Sequence, residues 1–227
     1  MEPEFWLDRW RQSQIGFHQA DTNPLLQRYW PMLSLETPSI VFVPLCGKSL
    51  DMVWLAGQGH HVIGIELSEI AIDEFFADLG LSPSIRREQD FTVKSAGPYE
   101  LWCGDFFAMP AVTTASIAAI YDRASLIALP PAMRRHYAEK LIDLNRSGAR
   151  TLLITLEYDQ SVLPGPPHSV TSEEVRELFS HAWETIELER AETAAISPKF
   201  REHGLDTVIQ TAYLMVPRAV SSGTAGR

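Results

Sequence analysis

Long apolar runs are missing from this chain. Nowhere do about 18 apolar residues follow one another, so no membrane-spanning helix is predicted. The opening MEPEFWLDRWRQSQ is charged and broken by polar positions, without the apolar centre of a signal peptide. Basic charge is scarce too. Lys and Arg total 19 against 29 Asp and Glu, a formal net charge of −10, so the basic footprint of a nucleic-acid binder is missing. Cysteine is nearly absent: Cys46 and Cys103 make no CxxC pair. The seven histidines make no HExxH or HxxxH pattern. His60 and His61 are adjacent, so on a strand they point to opposite faces and suit chelation poorly. A structural zinc site is therefore not expected. These absences predict a cytoplasmic protein with reduced thiols, no resident metal, no membrane and no nucleic-acid partner. No apolar surface stripe stands out, and a monomer is expected.

What is present is a core. Hydrophobic residues form 45% of the 227, enough for an α/β domain and too many for disorder. Residues 1–36 are amphipathic and rich in aromatics (Phe5, Trp6, Trp10, Phe17, Tyr29, Trp30), and predict short helices around 3–11 and 23–32. Residues 37–157 alternate apolar runs with helical patterns, as βαβ repetition requires. The runs Ile40–Val43, Val62–Ile65, Tyr99–Cys103, Ala118–Asp122, Thr151–Thr155, Trp183–Glu192 and Asp206–Val216 read as seven strands, with Phe91–Lys94 as a further hairpin strand. No helical pattern separates the last two, so they are expected to pair antiparallel. Ser68 is a candidate N-cap, with Gly80 ending the helix it opens. Pro131 suits the first turn of a helix whose buried face carries Met133, Tyr137, Leu141 and Leu144, with Gly148 as its stop. Thr171 and Glu174 have the spacing of a capping box. The expectation is one domain over 1–217, with 1–36 as an N-terminal cover and 218–227 as a small, polar, frayed tail.

The stretch Ile40 to Glu69, IVFVPLCGKSLDMVWLAGQGHHVIGIELSE, carries most of the functional information. It reads as strand, tight turn at Gly47, helix, then a second strand ending in Glu66. In an open parallel sheet the carboxyl ends of adjacent strands line a ligand crevice. An acid there, about 20 residues after the turn glycine, suits a ribose diol. The same Glu66 could instead cap the helix that opens near Ser68.

Two cofactor classes fit poorly. A dinucleotide needs GxGxxG to bring its pyrophosphate against the backbone, and only Gly47 is present. The tripeptide Gly47-Lys48-Ser49 looks like the end of a P-loop, but position 42, where that motif needs glycine, is Phe. S-adenosylmethionine carries no phosphate, so one glycine can suffice. Glu66 would take its ribose, Asp105 could accept from the adenine amino group, Phe106 and Phe107 offer apolar surface, and Leu45 lines the end of the first strand. Asp105 reads equally as a turn aspartate, and the aromatic N-terminal segment equally as core packing. Arg123 stands at the carboxyl end of a central strand, facing the crevice or paired locally, with Asp122 as a candidate partner.

The segments FWLDRW, IGFHQ, FVPLCGKSLDMVWLA, GIELSEIAIDEFF, YDRASLIAL and PGPPHSV together resemble the thiopurine S-methyltransferases, in particular the bacterial members. The likeness runs from about Phe5 to Val216. It implies a Rossmann-like class I methyltransferase fold: a mostly parallel seven-stranded sheet with helices on both faces, an antiparallel terminal strand and a helical N-terminal cover. It implies S-adenosylmethionine contacts at Trp10, Leu45, Gly47, Glu66, the Cys103–Asp105 region and Arg123. It also implies an acceptor side formed by Phe17, His18 and Arg201, with Arg123 orienting the acceptor. At Asp105 the chain departs from animal members, which lack an acid there. The implied reaction is methyl transfer to the sulfur of an aromatic or heterocyclic thiol, without a covalent nucleophile or a general base. The same resemblance leaves open methylation of selenium or tellurium compounds, and a non-catalytic module that only binds the donor.

Overall fold

The computed structural model describes residues 3–195 and 198–218. Its centre is a nine-stranded sheet. In chain order the strands are β1 (Ile40–Val43), β2 (His61–Glu66), β3 (Ser84–Glu88), β4 (Phe91–Ala96), β5 (Tyr99–Cys103), β6 (Ala119–Arg123), β7 (Arg150–Glu157), β8 (Trp183–Ala194) and β9 (Thr207–Pro217). Their order across the sheet is β3-β4-β5-β2-β1-β6-β7-β9-β8. The pairs β5/β2, β2/β1, β1/β6 and β6/β7 are parallel. The pairs β3/β4, β4/β5, β7/β9 and β8/β9 are antiparallel.

The expected count of seven strands is thus corrected to nine. One addition, β4, is the hairpin strand read at Phe91. The other, β3, has the sequence SIRRE with every residue exposed. An edge strand exposed on both faces has no apolar alternation to betray it.

Side-chain alternation splits the core into two layers. On one face Phe42, Ile120, Leu153 and Tyr213 pack with α5 (Pro131–Leu144) and α6 (Ser172–Phe179). On the other, Val41, Val43, Tyr121, Leu152 and Ile154 pack with α2 (Pro24–Tyr29), α3 (Leu50–Gly57) and α4 (Glu69–Asp78). Each fully buried Leu, Ile, Val or Phe contributes ~1.5–3 kcal/mol relative to exposure. Most of the sheet's stabilisation therefore lies in these two layers. The first helix, α1 (Pro3–Arg11), and the loop after it belong to the N-terminal cover. The last, α7 (Pro198–Glu202), lies between β8 and β9.

Local expectations resolve individually. Ser68 Oγ accepts the Ala71 N–H at 3.4 Å, capping α4 as read. Pro131 opens α5, but the helix closes on Asn145, before Gly148. The capping box at Thr171 is half formed. Thr171 Oγ1 accepts from Glu174 N at 3.2 Å, whereas the Glu174 carboxylate takes Arg134 Nη1 at 2.7 and 2.6 Å. The demand of a guanidinium only 1% exposed outweighs a cap bond at the surface. From position 219 on, the proposed tail lies outside the described residues. Among the described residues no helix is long and apolar enough to cross a membrane.

Candidate active site

The chain leaves β1 for β2 and β5 on one side, then returns to place β6 and β7 on the other. Between β1 and β6 the strand order reverses, and a crevice opens at the carboxyl ends of the parallel strands. A cavity of about 730 Å³ occupies it. The first turn (Leu45, Gly47), the end of β2 (Glu66), the loop after β5 (Asp105, Phe107) and the end of β6 (Arg123) form its floor. The N-terminal cover forms its roof through Trp6, Arg9, Trp10, Phe17 and His18.

The first turn has left-handed backbone at both Leu45 (φ +43°) and Gly47 (φ +52°). Glycine adopts that conformation freely, and leucine does so against a steric penalty. Trp10 lies over this turn: a Cβ on Gly47 would stand in ordinary contact with Trp10 Cζ2, 3.4 Å away, so it is the backbone conformation that calls for glycine. Trp10, 4% exposed, meets Phe17 edge-to-face at 5.7 Å, and Phe17 meets Trp6 at 5.6 Å. The roof is an aromatic chain seated on the glycine turn.

Glu66 ends β2 and is 7% exposed. Its Oε2 accepts the Gly47 N–H and its Oε1 the Ser68 N–H, both at 2.9 Å. Burial pushes its carboxyl above the ordinary value, and these backbone donors partly offset that. A carboxylate offers about four acceptor positions, more than these bonds use. The capping alternative and the ligand alternative are thus compatible. Asp105 is exposed, and its Oδ1 accepts from Phe107 N at 2.9 Å, the turn geometry weighed for it. It lines the cavity all the same.

Arg123 is largely buried, and its Nη1 lies 3.9 Å from Asp51 Oδ2. Asp122, the partner suggested by adjacency, faces the other layer and accepts from Tyr137 OH at 2.7 Å. Neighbours on a strand point to opposite faces. Asp51 escaped the sequence reading, because an acid in the first turn of a helix reads as a partner of the helix dipole. Tyr121 escaped too, although its position two before Arg123 gives it the same strand parity. Its hydroxyl donates to Asp51 Oδ2 at 2.9 Å.

The other expected residues divide. His18 lies in the roof; burial and the Lys48 charge lower its pKa, which favours the neutral imidazole. Arg201 does not join the lining. It is exposed, and its Nη1 donates to the Ala195 carbonyl at 3.2 Å, while Lys199, Phe200 and Glu202 reach the cavity. A five-residue helix presents only part of its circumference to the cavity, and Arg201 is on the remainder. Lys48 is held by Glu74 at 2.9 Å and Asp78 at 3.1 Å. Neither cysteine is a thiolate at neutral pH. Burial, with the Glu66 charge, pushes Cys46 well up, and burial pushes Cys103 to about 11. The cavity can thus seat a flat, partly apolar molecule and accept hydrogen bonds from hydroxyls at Glu66. It supplies positive charge at Arg123 and lacks a pre-ionised thiol nucleophile.

Comparison with known proteins agrees with this geometry. Among solved structures, a Burkholderia thailandensis 1,6-didemethyltoxoflavin N1-methyltransferase with bound S-adenosylhomocysteine superposes with a TM-score of 0.61 at 16% identity. It covers 93% of this chain and 86% of that one. The N-methyltransferase NodS of Bradyrhizobium japonicum, also with S-adenosylhomocysteine, gives 0.58 at 15% identity, covering 87% and 90%. These likenesses show the fold, that of class I methyltransferases. In sequence, the thiopurine S-methyltransferase of Pseudomonas putida strain F1 is 50% identical over 213 residues, 94% of this chain and 98% of that protein. That of Pseudomonas fluorescens strain SBW25 is 49% identical over 218 residues, 96% and 100%. The family model described as thiopurine S-methyltransferase matches residues 1–218. With the glycine turn, the strand-end acid and the aromatic roof already in one crevice, these matches mean that the chain belongs to the thiopurine S-methyltransferase family.

Proposed function

We propose that the protein transfers the methyl group of S-adenosylmethionine to the sulfur of an aromatic or heterocyclic thiol, as the names of its relatives state for them. The observation that carries the reading is Glu66: a buried carboxylate at the switch-point crevice, with acceptor capacity to spare, beside a glycine turn unsuited to phosphate. The cavity, about 730 Å³, is within the range of small-molecule sites.

Glu66 would hold the ribose hydroxyls, and Leu45 and Gly47 the methionine side of the donor. The loop at Asp105, with Phe106 and Phe107, would flank the adenine. S-adenosylmethionine supplies a methyl group on a sulfonium, which departs to leave a neutral thioether. No protein acid is needed for that leaving group. Trp10, Trp6 and Phe17 exclude water and offer edges and faces to a flat ring. Arg123 stabilises the anionic form of the acceptor by charge-assisted hydrogen bonding. Holding acceptor and donor in line supplies most of the acceleration, up to roughly 7–11 kcal/mol in well-oriented systems. Phe17 and His18 face the acceptor, and Lys199 supplies the second cation expected at Arg201. The reading takes residues 1–217 as one methyltransferase domain, active as a cytoplasmic monomer on a small molecule.

A radiolabelled methyl-transfer assay over a panel of aromatic thiols, with calorimetry using S-adenosylhomocysteine, tests it. Binding with turnover of at least one thiol is expected. Binding with no turnover of any thiol rejects the enzyme reading, and no binding at millimolar product rejects the site itself.

A further inference from the structure

Asp51 is a buried carboxylate that the proposed chemistry leaves without a role. It is 2% exposed and joins three parts of the molecule. Oδ1 accepts the backbone N–H of Asn23 at 2.7 Å, the residue where the cover turns into α2. Oδ2 accepts the Tyr121 hydroxyl at 2.9 Å from the floor of the sheet. The same oxygen lies 3.9 Å from Arg123 Nη1 at the end of β6. Asn23, Tyr121 and Arg123 all line the cavity, whereas Asp51 stands behind them. Burial and the Asp51 charge keep the Tyr121 hydroxyl well above its usual pKa, so it remains a donor. Ser49, which accepts from Asp51 N at 3.2 Å, fixes the first turn of α3 from which the carboxylate projects.

We infer that Asp51 is a positioning residue: it aims the Arg123 guanidinium into the acceptor end of the cavity, and is itself held in place by the backbone N–H of Asn23 in the N-terminal segment. A guanidinium on a long, flexible stem loses much rotamer freedom when fixed. A buried counter-charge behind it narrows the choice before the acceptor arrives, and lowers the entropy loss on binding. The carboxylate touches neither donor nor acceptor, so its effect passes through Arg123. The inference rests on the role proposed for Arg123.

The test is a double-mutant cycle of Asp51→Asn with Arg123→Ala, read as kcat, acceptor KM and S-adenosylhomocysteine affinity. Asparagine keeps the shape but removes the charge, and presents an N–H donor to a donor. Alone, Asp51→Asn is expected to lower acceptor kcat/KM about tenfold while changing product affinity less than threefold. In the Arg123→Ala background it is expected to change kcat/KM less than twofold, because contacting residues couple. A purely structural role would give the same loss in both backgrounds, and that result overturns the inference while leaving the role of Arg123 intact. An Arg123→Ala variant as fast as the parent overturns both. If Asp51→Asn does not fold, Asp51→Ser enters the same cycle with the same criteria.

Discussion

Glu66 Oε2 accepts the N–H of Gly47, 19 residues earlier, at 2.9 Å. The bond fastens the end of one parallel strand to the turn that leaves its neighbour. A carboxylate so placed both shapes the turn and waits for hydroxyl groups, so its substitution has two separable effects.

Glu66→Gln should weaken S-adenosylhomocysteine binding by roughly tenfold to a hundredfold, as expected for losing a charged acceptor worth ~1.5–3 kcal/mol. Calorimetry reads this directly. Equal affinity in the variant removes Glu66 from donor binding, whatever happens to the melting temperature.

Gly47→Ala should destabilise the fold. The residue sits at φ +52°, where alanine is strained, while its new Cβ would only reach ordinary contact with Trp10 at 3.4 Å. The left-handed backbone alone costs ~1–2 kcal/mol for alanine. For a chain of this size that lowers the melting temperature by about 2–8 °C. A thermal melt within one degree of the parent contradicts the account of the turn.

Glu174→Ala should be more damaging than its place near the surface suggests. It takes the counter-charge from Arg134, a 1% exposed guanidinium whose Nη1 it holds at 2.7 and 2.6 Å, and leaves the Nε bond to the Leu129 carbonyl at 2.9 Å. Removing one partner of a fully buried pair costs ~3–5 kcal/mol; Glu174 is 27% exposed, so a loss at or below the lower end of that range is expected. Urea denaturation measures it, and a loss below about 1 kcal/mol contradicts the burial argument.

Asp122 predicts a pH dependence of stability. Burial pushes its carboxyl up to about 6, with the Tyr137 hydroxyl donating at 2.7 Å in partial compensation. The native state therefore holds a proton that the unfolded chain has already released near its ordinary value of 3.8. Stability from this group is greatest below about pH 4, falls as pH rises towards about 6 and is level above that. Glu66, also raised by burial, acts with the same sign. Asp122→Asn should remove the Asp122 share, so the variant gains on the parent between pH 4 and 6. Denaturation curves at several pH values decide it, and parallel profiles for the two proteins reject the shift.

The sequence by itself was enough for the βαβ frame, the glycine turn, the strand-end acid and the family resemblance. Each is written in local signals: apolar runs of strand length, a single glycine, a carboxylate at a fixed offset, and motifs spread along the chain. The edge strand SIRRE escaped because a strand exposed on both faces has no period to detect. The partners of Arg123 and Glu174 escaped for another reason. Adjacency suggested Asp122 for Arg123, and spacing suggested a cap for Glu174, but a charged group pairs with what lies nearest in space. Asp51, 72 positions before Arg123 in the numbering, and Arg134, 40 before Glu174, are brought close only when helices settle on the two faces of the sheet. Lys199 reaches the cavity where Arg201 does not because of how one short helix is rotated. Local pattern determines which elements form. Tertiary packing decides which buried charges meet, because in a low-dielectric interior an unpaired charge is too unfavourable to leave to chance.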